Sequence, residues 1–324
     1  MTSLFHNYDH PLDVLSFLLE AAGRGEKTAL VTVTETVGGS VRAPGALMGV
    51  LEDGTVAGYV SNGCVDGNLV FQAQQAMDTN TPAQVRYGQG SPYVDIKLPC
   101  GGAIDLLITP NPDLEVLRQA IERLSDRREC ALEVGVDGGL KLSDTRSDMS
   151  RWRDGETFVV SCLPKLQLRI AGIGAEVLAL TRLACASGFE VIVQSPDENC
   201  LRQARALGAG TTELLNSPSR PPENHDDIYT AFVLMFHDHS WETELLKSAL
   251  GGKAFYIGAL GSRKAHAIRC DQLEEAGVDD SDIARIHGPI GLVSSLRDAS
   301  MVAISTLAEI IEGYSKVILD RTGK

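Results

Sequence analysis

The sequence predicts an α/β fold in two parts, and three observations carry that prediction. After Leu163-Pro164-Lys165, apolar runs of strand length alternate with helix-length stretches: a strand at 166–171, a helix at 175–187 and a strand at 190–194, then a second such unit through 229–236, 241–250 and 254–257. Alternation of this kind implies a parallel sheet with right-handed crossovers. A glycine turn, Gly172-Ile173-Gly174, falls between the first strand and the first helix, where a nucleotide-binding turn belongs. Before residue 163 the order is irregular, with short strands, tight turns and interspersed helices. The reading is an N-terminal mixed α/β domain over 1–162 and a C-terminal Rossmann-like parallel-sheet domain over 163–324. A chain of 324 residues is comfortable for two cores.

In order along the first part, Pro11 opens an amphipathic helix with Leu12, Leu15, Leu18, Leu19 and Ala22 on one face, ended by Gly23 and Gly25. Residues 28–36 are rich in Val and Thr and read as a strand. A glycine-rich loop follows at 38–45. Runs at 46–51 and 55–60 flank Asp53-Gly54, a hairpin signal. Asn62-Gly63 makes a second turn, and Asp66 suits the N-cap of a helix to about Met77. Strands are expected at 93–98 and 103–109, on either side of Cys100. A helix is expected at 113–127, and the sheet resumes around Cys130 and Phe158. In the second part, the proline-bearing segment 216–227 reads as a surface loop, and the last strong helix spans about 298–317. There is no internal repeat and no low-complexity tail.

Composition narrows the function classes. Hydrophobic residues make up 44% and charged residues 22%, as in an ordinary soluble globular protein. The formal net charge of −14 argues against nucleic-acid binding, which needs clustered Lys and Arg to displace counterions. Residues 1–13 lack a basic stretch leading into an apolar core, and the longest apolar runs fall far below the roughly 18 residues of a membrane span. A cytoplasmic protein with no membrane association is the expectation. Seven widely spread cysteines fit free thiols in a reducing compartment, and no CxxC or HExxH pattern marks a structural zinc site.

Several motifs carry chemistry. Cys64 and Cys100 lie in glycine-bearing turns, Asn62-Gly63-Cys64-Val65-Asp66 and Pro99-Cys100-Gly101-Gly102, rather than in apolar runs. A reachable thiolate binds soft metals or carries sulfur. Cys130, Cys162, Cys185, Cys200 and Cys270 fall in expected strands or helices, and most of them read as small core residues. Arg42 sits in a stiff loop, where a fixed guanidinium suits an anion. At Gly172-Ile173-Gly174-Ala175-Glu176-Val177 the third glycine of the dinucleotide fingerprint is replaced by Val177. The acid expected after the next strand is missing from Gln194-Ser195-Pro196, with Asp197 a possible substitute. The turn is open to two readings: a bound NAD(P), or a Rossmann scaffold used for another ligand. Gly258-Ala259-Leu260-Gly261-Ser262-Arg263-Lys264 follows a strand, and Ser262 can cap the next helix beside two cations. It reads either as a phosphate site or as a capped helix start with solvated basic residues. His237-Asp238-His239 reads as a polar loop rather than a metal site. His287, in His287-Gly288-Pro289-Ile290-Gly291, faces a ligand or simply shapes a turn.

These motifs, in this order and over most of the chain, resemble the XdhC/CoxI family of accessory proteins for molybdenum hydroxylases. The stretch 38–45 is similar to the family's arginine loop, with Val41 at the usual proline. Ser61-Asn62-Gly63-Cys64-Val65-Asp66 resembles S-G-G-C-V-E, and Cys100-Gly101-Gly102 resembles C-G-G. In the second half the resemblance rests on Tyr256-Ile257-Gly258-Ala259-Leu260-Gly261-Ser262-Arg263, on Pro289-Ile290-Gly291-Leu292 and on Ala308-Glu309-Ile310. Departures stand at Asn62, Asp66, Pro99, Ser195-Pro196-Asp197 and Val293-Ser294-Ser295. The resemblance implies a chaperone without turnover of its own that binds the molybdenum cofactor, as molybdopterin or its cytosine dinucleotide form. It further implies help in exchanging the terminal oxo ligand for sulfide with a cysteine desulfurase, and delivery to an apo molybdenum hydroxylase such as xanthine or aldehyde dehydrogenase. On this reading Cys64 and Cys100 touch molybdenum or its sulfur, beside Gly63, Gly101 and Gly102. Arg42, Gly172, Gly174, Gly258, Gly261, Ser262 and Arg263 serve the rest of the cofactor, in a cleft between the domains, and the protein is a homodimer. The alternatives are an NAD(P)-dependent oxidoreductase, which needs an intact dinucleotide fingerprint and a proton donor, and a regulatory nucleotide-binding module.

Overall fold

The computed structural model describes residues 5–6, 10–39, 42–61, 63, 65–93, 98, 101–143, 149–236 and 238–322. The chain divides into two compact units, Met1–Pro164 and Lys165–Lys324.

The first unit runs β1 (Phe5–His6), α1 (Pro11–Gly23), β2 (Thr28–Val37), β3 (Leu47–Leu51), β4 (Val56–Gly58), α2 (Asp66–Thr79), β5 (Ala83–Gly88), β6 (Ala103–Pro110), α3 (Leu114–Ser125), β7 (Cys130–Gly135), β8 (Leu140–Ser143), β9 (Arg151–Trp152) and β10 (Thr157–Cys162). Among the described residues, six strands form a sheet in the order β1-β4-β3-β2-β6-β5, antiparallel apart from the β1–β4 pair. The strands around Cys130 and Phe158 do not resume this sheet. They form a separate antiparallel one, ordered β8-β7-β10-β9. Side chains alternate along β2: Leu30 joins a core with α1, α3 and the second sheet, while Ala29, Val31 and Val33 join a core under α2. Both faces are covered, so residues 28–34 of β2 are buried without a break, Thr28, Thr32 and Thr34 among them.

Local expectations are corrected in four places. The buried face of α1 is Val14, Leu15, Leu18 and Ala21, one step round from the expected stripe, and Leu19 and Ala22 are only half-buried. Asp66 is the first residue of α2 rather than its cap; its carboxylate instead accepts from the Ser61 hydroxyl (2.6 Å) and the Gly63 N–H (3.1 Å). The partner of β6 is β5 at Ala83–Gly88, a strand not among the expected elements. Of the strand expected at 93–98, residues 94–97 lie outside the described residues, and Tyr93 and Leu98 are not in a strand.

The second unit runs β11 (Gln167–Gly172), α4 (Ala175–Ala186), β12 (Glu190–Ser195), α5 (Glu198–Ala206), β13 (Thr211–Leu214), β14 (Thr230–Met235), a short 3-10 turn at His239–Trp241, α6 (Glu242–Leu250), β15 (Tyr256–Ala259), α7 (Arg263–Glu275), α8 (Asp280–Ile283), β16 (Ile286–His287) and α9 (Ala299–Thr322). Its sheet is parallel throughout, ordered β13-β12-β11-β14-β15-β16, the doubly wound Rossmann order. α4, α5 and α9 cover one face and α6 and α7 the other. The segment 216–227 carries no helix or strand, as expected, but it is not wholly superficial. Asp226 is buried and forms a two-pronged ion pair with Arg169 of β11, whose guanidinium also lies 4.0 Å over the Phe232 ring and donates to Gln194 at 3.0 Å.

Candidate functional site

In the first unit, strand direction gathers the motif loops. Val37 pairs with Ala103, Gly88 with Ala103, and Gly58 with Met48. The ends of β2, β4 and β5 and the starts of β3 and β6 therefore lie along one edge of the sheet. From that edge leave the arginine loop, the turn of Gly63 and the turn of Gly101-Gly102. Glycine is required at Gly88, where a Cβ would overlap the Gly102 carbonyl at 2.1 Å, and it suits Gly38, at φ +76°, where a Cβ would sit a tight 3.3 Å from the Gly102 Cα. Gly63 and Gly101 are exposed at φ +91° and +69°. Tyr87 ties the edge to α2, donating to the Asn68 side chain at 2.7 Å while stacking on Tyr93 at 5.3 Å. The Arg42 guanidinium is placed 4.7 Å over the Tyr59 ring, a partner that sequence alone does not point to. Cys64 and Cys100 lie outside the described residues, as does His237.

The Gly172–Gly174 turn is built less for a dinucleotide than its sequence suggests. A Cβ on Gly172 would meet the Met235 carbonyl oxygen at 2.4 Å, so this glycine is needed where the end of β11 pairs with β14. Val177 is fully buried in the core that joins α4 to the sheet, which fills the place of the third glycine. Asp197 is committed: its carboxylate accepts from the Asn199 N–H at 2.9 Å as the N-cap of α5. Gly174, at φ +104°, precedes α4 with no side-chain cap.

The Gly258 and Pro289 motifs, read separately in sequence, meet around one cavity of about 660 Å³. The turn of Gly261, Ser262 and Arg263 forms one wall, and the strap of Pro289, Ile290 and Gly291 forms another. Leu260, Ile290, Val293, Leu296 and Val302 supply an apolar lining; Ser262, Ser294, Ser295, Ser305 and Arg263 supply hydroxyls and a cation. Among the described residues none of the lining is acidic, in a chain of net charge −14. Ser262 caps α7, its hydroxyl accepting from the Ala265 N–H at 3.1 Å, and Arg263 is exposed. Gly258 does not line this cavity. It is buried, and a Cβ there would meet Ile290 and the Tyr256 ring at 2.7 Å. Ser305, on an apolar helix, carries no signal of its own in the sequence, and Ser294-Ser295 stand out there only as a departure from the family pattern.

Behind the turn, buried Arg269 pairs with buried Glu242 (2.9 and 3.1 Å) and donates to the Leu260 carbonyl at 2.8 Å, fixing the backbone that leads into Gly261. His239 is within 3.0 Å of the same Glu242, and Asp238 caps the short 3-10 turn, so these two residues serve the fold. Among the described residues there is no cluster of three His, Cys, Asp or Glu side chains suited to a metal ion. Nor is any helix there long and apolar enough to cross a membrane.

The fold and the two motif clusters have relatives. Residues 168–310 match the XdhC Rossmann domain, and residues 21–88 match the XdhC and CoxI family. The chain is 32% identical over 297 residues to the molybdenum cofactor insertion chaperone PaoD of Escherichia coli K12, covering 92% of this chain and 86% of that protein. The chain belongs to the XdhC/CoxI family. It is also 22% identical to a protein of Bacillus subtilis described as a probable xanthine dehydrogenase subunit, over 90% of this chain and 94% of the relative. The crystal structure of a xanthine dehydrogenase from Bacillus halodurans shares the fold, with a TM-score of 0.77 at 22% identity, covering 95% of this chain and 96% of that one. Both family matches fall on the motif clusters: the first includes the cavity residues of the second unit up to Ser305, and the second includes the Arg42 and Gly63 loops.

Proposed function

We propose that this XdhC/CoxI protein is a maturation factor that carries the molybdenum cofactor as cargo to an apo molybdenum hydroxylase of the xanthine or aldehyde dehydrogenase type. The observation that carries the reading is the cavity of about 660 Å³ without a single acidic lining residue among the described ones, in a strongly acidic chain. Its hydroxyls and Arg263 fit a phosphate, and its apolar side fits a flat heterocycle. The 32% identity to an insertion chaperone over most of both chains supports the same conclusion. Cys64 and Cys100 are proposed as the soft contacts to molybdenum or its sulfur, flanked by Gly63, Gly101 and Gly102, with Arg42 as a further anion contact. A cysteine desulfurase supplies the sulfide, the cofactor is held as molybdopterin or its cytosine dinucleotide, and the protein works as a cytoplasmic homodimer without turnover of its own. A nucleotide at Gly172–Gly174 is the competing reading. It is supported by the uncapped start of α4 and opposed by buried Val177 and by the capping role of Asp197.

The test is reconstitution of a client hydroxylase with purified chaperone variants. Cys100→Ala and Arg263→Ala are each expected to lower the activity of the matured client about tenfold, the worth of one lost charge-assisted contact. Tight binding of NADPH, with full client maturation by a Cys64→Ala/Cys100→Ala double variant, would sink the reading.

A further inference from the structure

The strap at 289–293 has no regular structure, yet it forms a wall of the cavity. Four of its backbone N–H groups are engaged. The Ile290 N–H donates to the Ala259 carbonyl at 3.3 Å, and the Leu292 N–H to the Ser305 carbonyl at 3.4 Å. The Val293 N–H donates to the Ser305 hydroxyl at 2.8 Å, and the Gly291 N–H to Glu309 Oε2 at 2.6 Å. Glu309 does not line the cavity. Its Oε2 also accepts from the Tyr256 hydroxyl at 2.8 Å, and its Oε1 lies 3.3 Å from His287 Nδ1, while the His287 and Tyr256 rings stack at 4.6 Å. One half-buried carboxylate thus joins β15, β16, the strap and α9. Gly291, at φ +100°, lies so close to α9 that a Cβ there would sit 2.8 Å from the Ser305 hydroxyl, so the strap has little room to shift.

We propose that Glu309 is a positioning residue that holds the strap closed against α9 and thereby sets the shape of the cavity. Both bonds that matter most, to Gly291 and to Tyr256, use a single carboxylate oxygen. An acceptor is therefore required at that point, and a negative charge is not. The idea rests on the cofactor reading only for its second readout, described last.

Amide hydrogen exchange on the full-length protein tests it. In Glu309→Ala the Gly291 amide is expected to exchange at least about tenfold faster, as for a lost bond to a charged acceptor. The amides of β11 and β14 keep their wild-type protection. In Glu309→Gln, whose amide oxygen replaces Oε2, the strap should stay within about threefold of wild type. Unchanged Gly291 exchange in the alanine variant would overturn the proposal. So would an equal loss of protection throughout the parallel sheet, which would make Glu309 a general stabiliser, or a glutamine variant as open as the alanine one. The second readout is the affinity of the three proteins for inorganic pyrophosphate, expected to follow the order wild type, glutamine, alanine. If the wild-type protein does not bind pyrophosphate, the phosphate reading of the cavity fails while the exchange data still decide the role of Glu309.

Discussion

Arg169 and Asp226 are 57 residues apart in sequence and both lie inside the second unit. Their two-pronged pairing is shielded from solvent, so removal of either partner strands the other charge in a medium that solvates it poorly. Asp226→Ala is expected to lower the unfolding free energy by about 3–5 kcal/mol in a denaturant melt. A loss below about 1 kcal/mol would show that the guanidinium regains water through its edge. Sequence could not announce this pair, because Asp226 sits in a proline-bearing stretch that reads as a surface loop and only the folded sheet brings Arg169 to it. The same holds for Glu309, whose three partners come from β15, β16 and the strap. By contrast Ser262 was legible, since a serine directly before a helix has one strongly preferred local bond to make.

At the scale of elements, α7 carries a pH-sensitive contact. The His266 ring is packed so closely on Gly288 that a Cβ there would lie 2.2 Å from its Nδ1, and it stands 3.5 Å from Arg269. Burial, and then the Arg269 charge, hold its pKa below the usual 6.5. The unfolded chain therefore binds more protons between the lowered value and 6.5, and stability is lost as the pH falls through that window. Thermal melts between about pH 8 and 5 should show this fall, and His266→Gln should flatten it. An equal slope in the variant would place the effect elsewhere. Burial pushes Glu309 up, but the bonds from His287, the Gly291 N–H and Tyr256 outweigh it and leave the carboxyl below 4.5, so its own contribution disappears only at more acid pH. Elements with strong periodicity, such as α4 and β11, and the glycine turns that join them were legible. The β5 strand carries a brief signal, Val85 and Tyr87 alternating with Gln84 and Arg86 at the period of a half-buried strand, but it is too short to name its partner, which pairing with β6 decides. Gly172 and Gly258 stand out in the sequence as candidate cofactor contacts, whereas the structure gives each a steric reason: they let neighbouring strands and the strap approach.

For the whole molecule, two units each bury both faces of a principal sheet; Arg42, Gly63, Gly101, Gly261, Ser262 and Arg263 fall in turns or at a helix start, whereas Tyr256, Gly258 and Ile290 of the same motifs are buried. The family resemblance was legible because each of its motifs is a contiguous stretch of sequence. The cavity was not, since its walls come from the β15–α7 turn, the strap and α9, whose nearness exists only after folding. The central claim, that the protein carries the molybdenum cofactor, is tested most directly by pterin and molybdenum analysis of protein purified after co-expression with the cofactor pathway. The account predicts co-purifying pterin and molybdenum in near-equal amounts, with both falling by more than about tenfold in a Cys100→Ala/Arg263→Ala double variant. Wild-type protein free of pterin, or a double variant that retains the full amount, would contradict it.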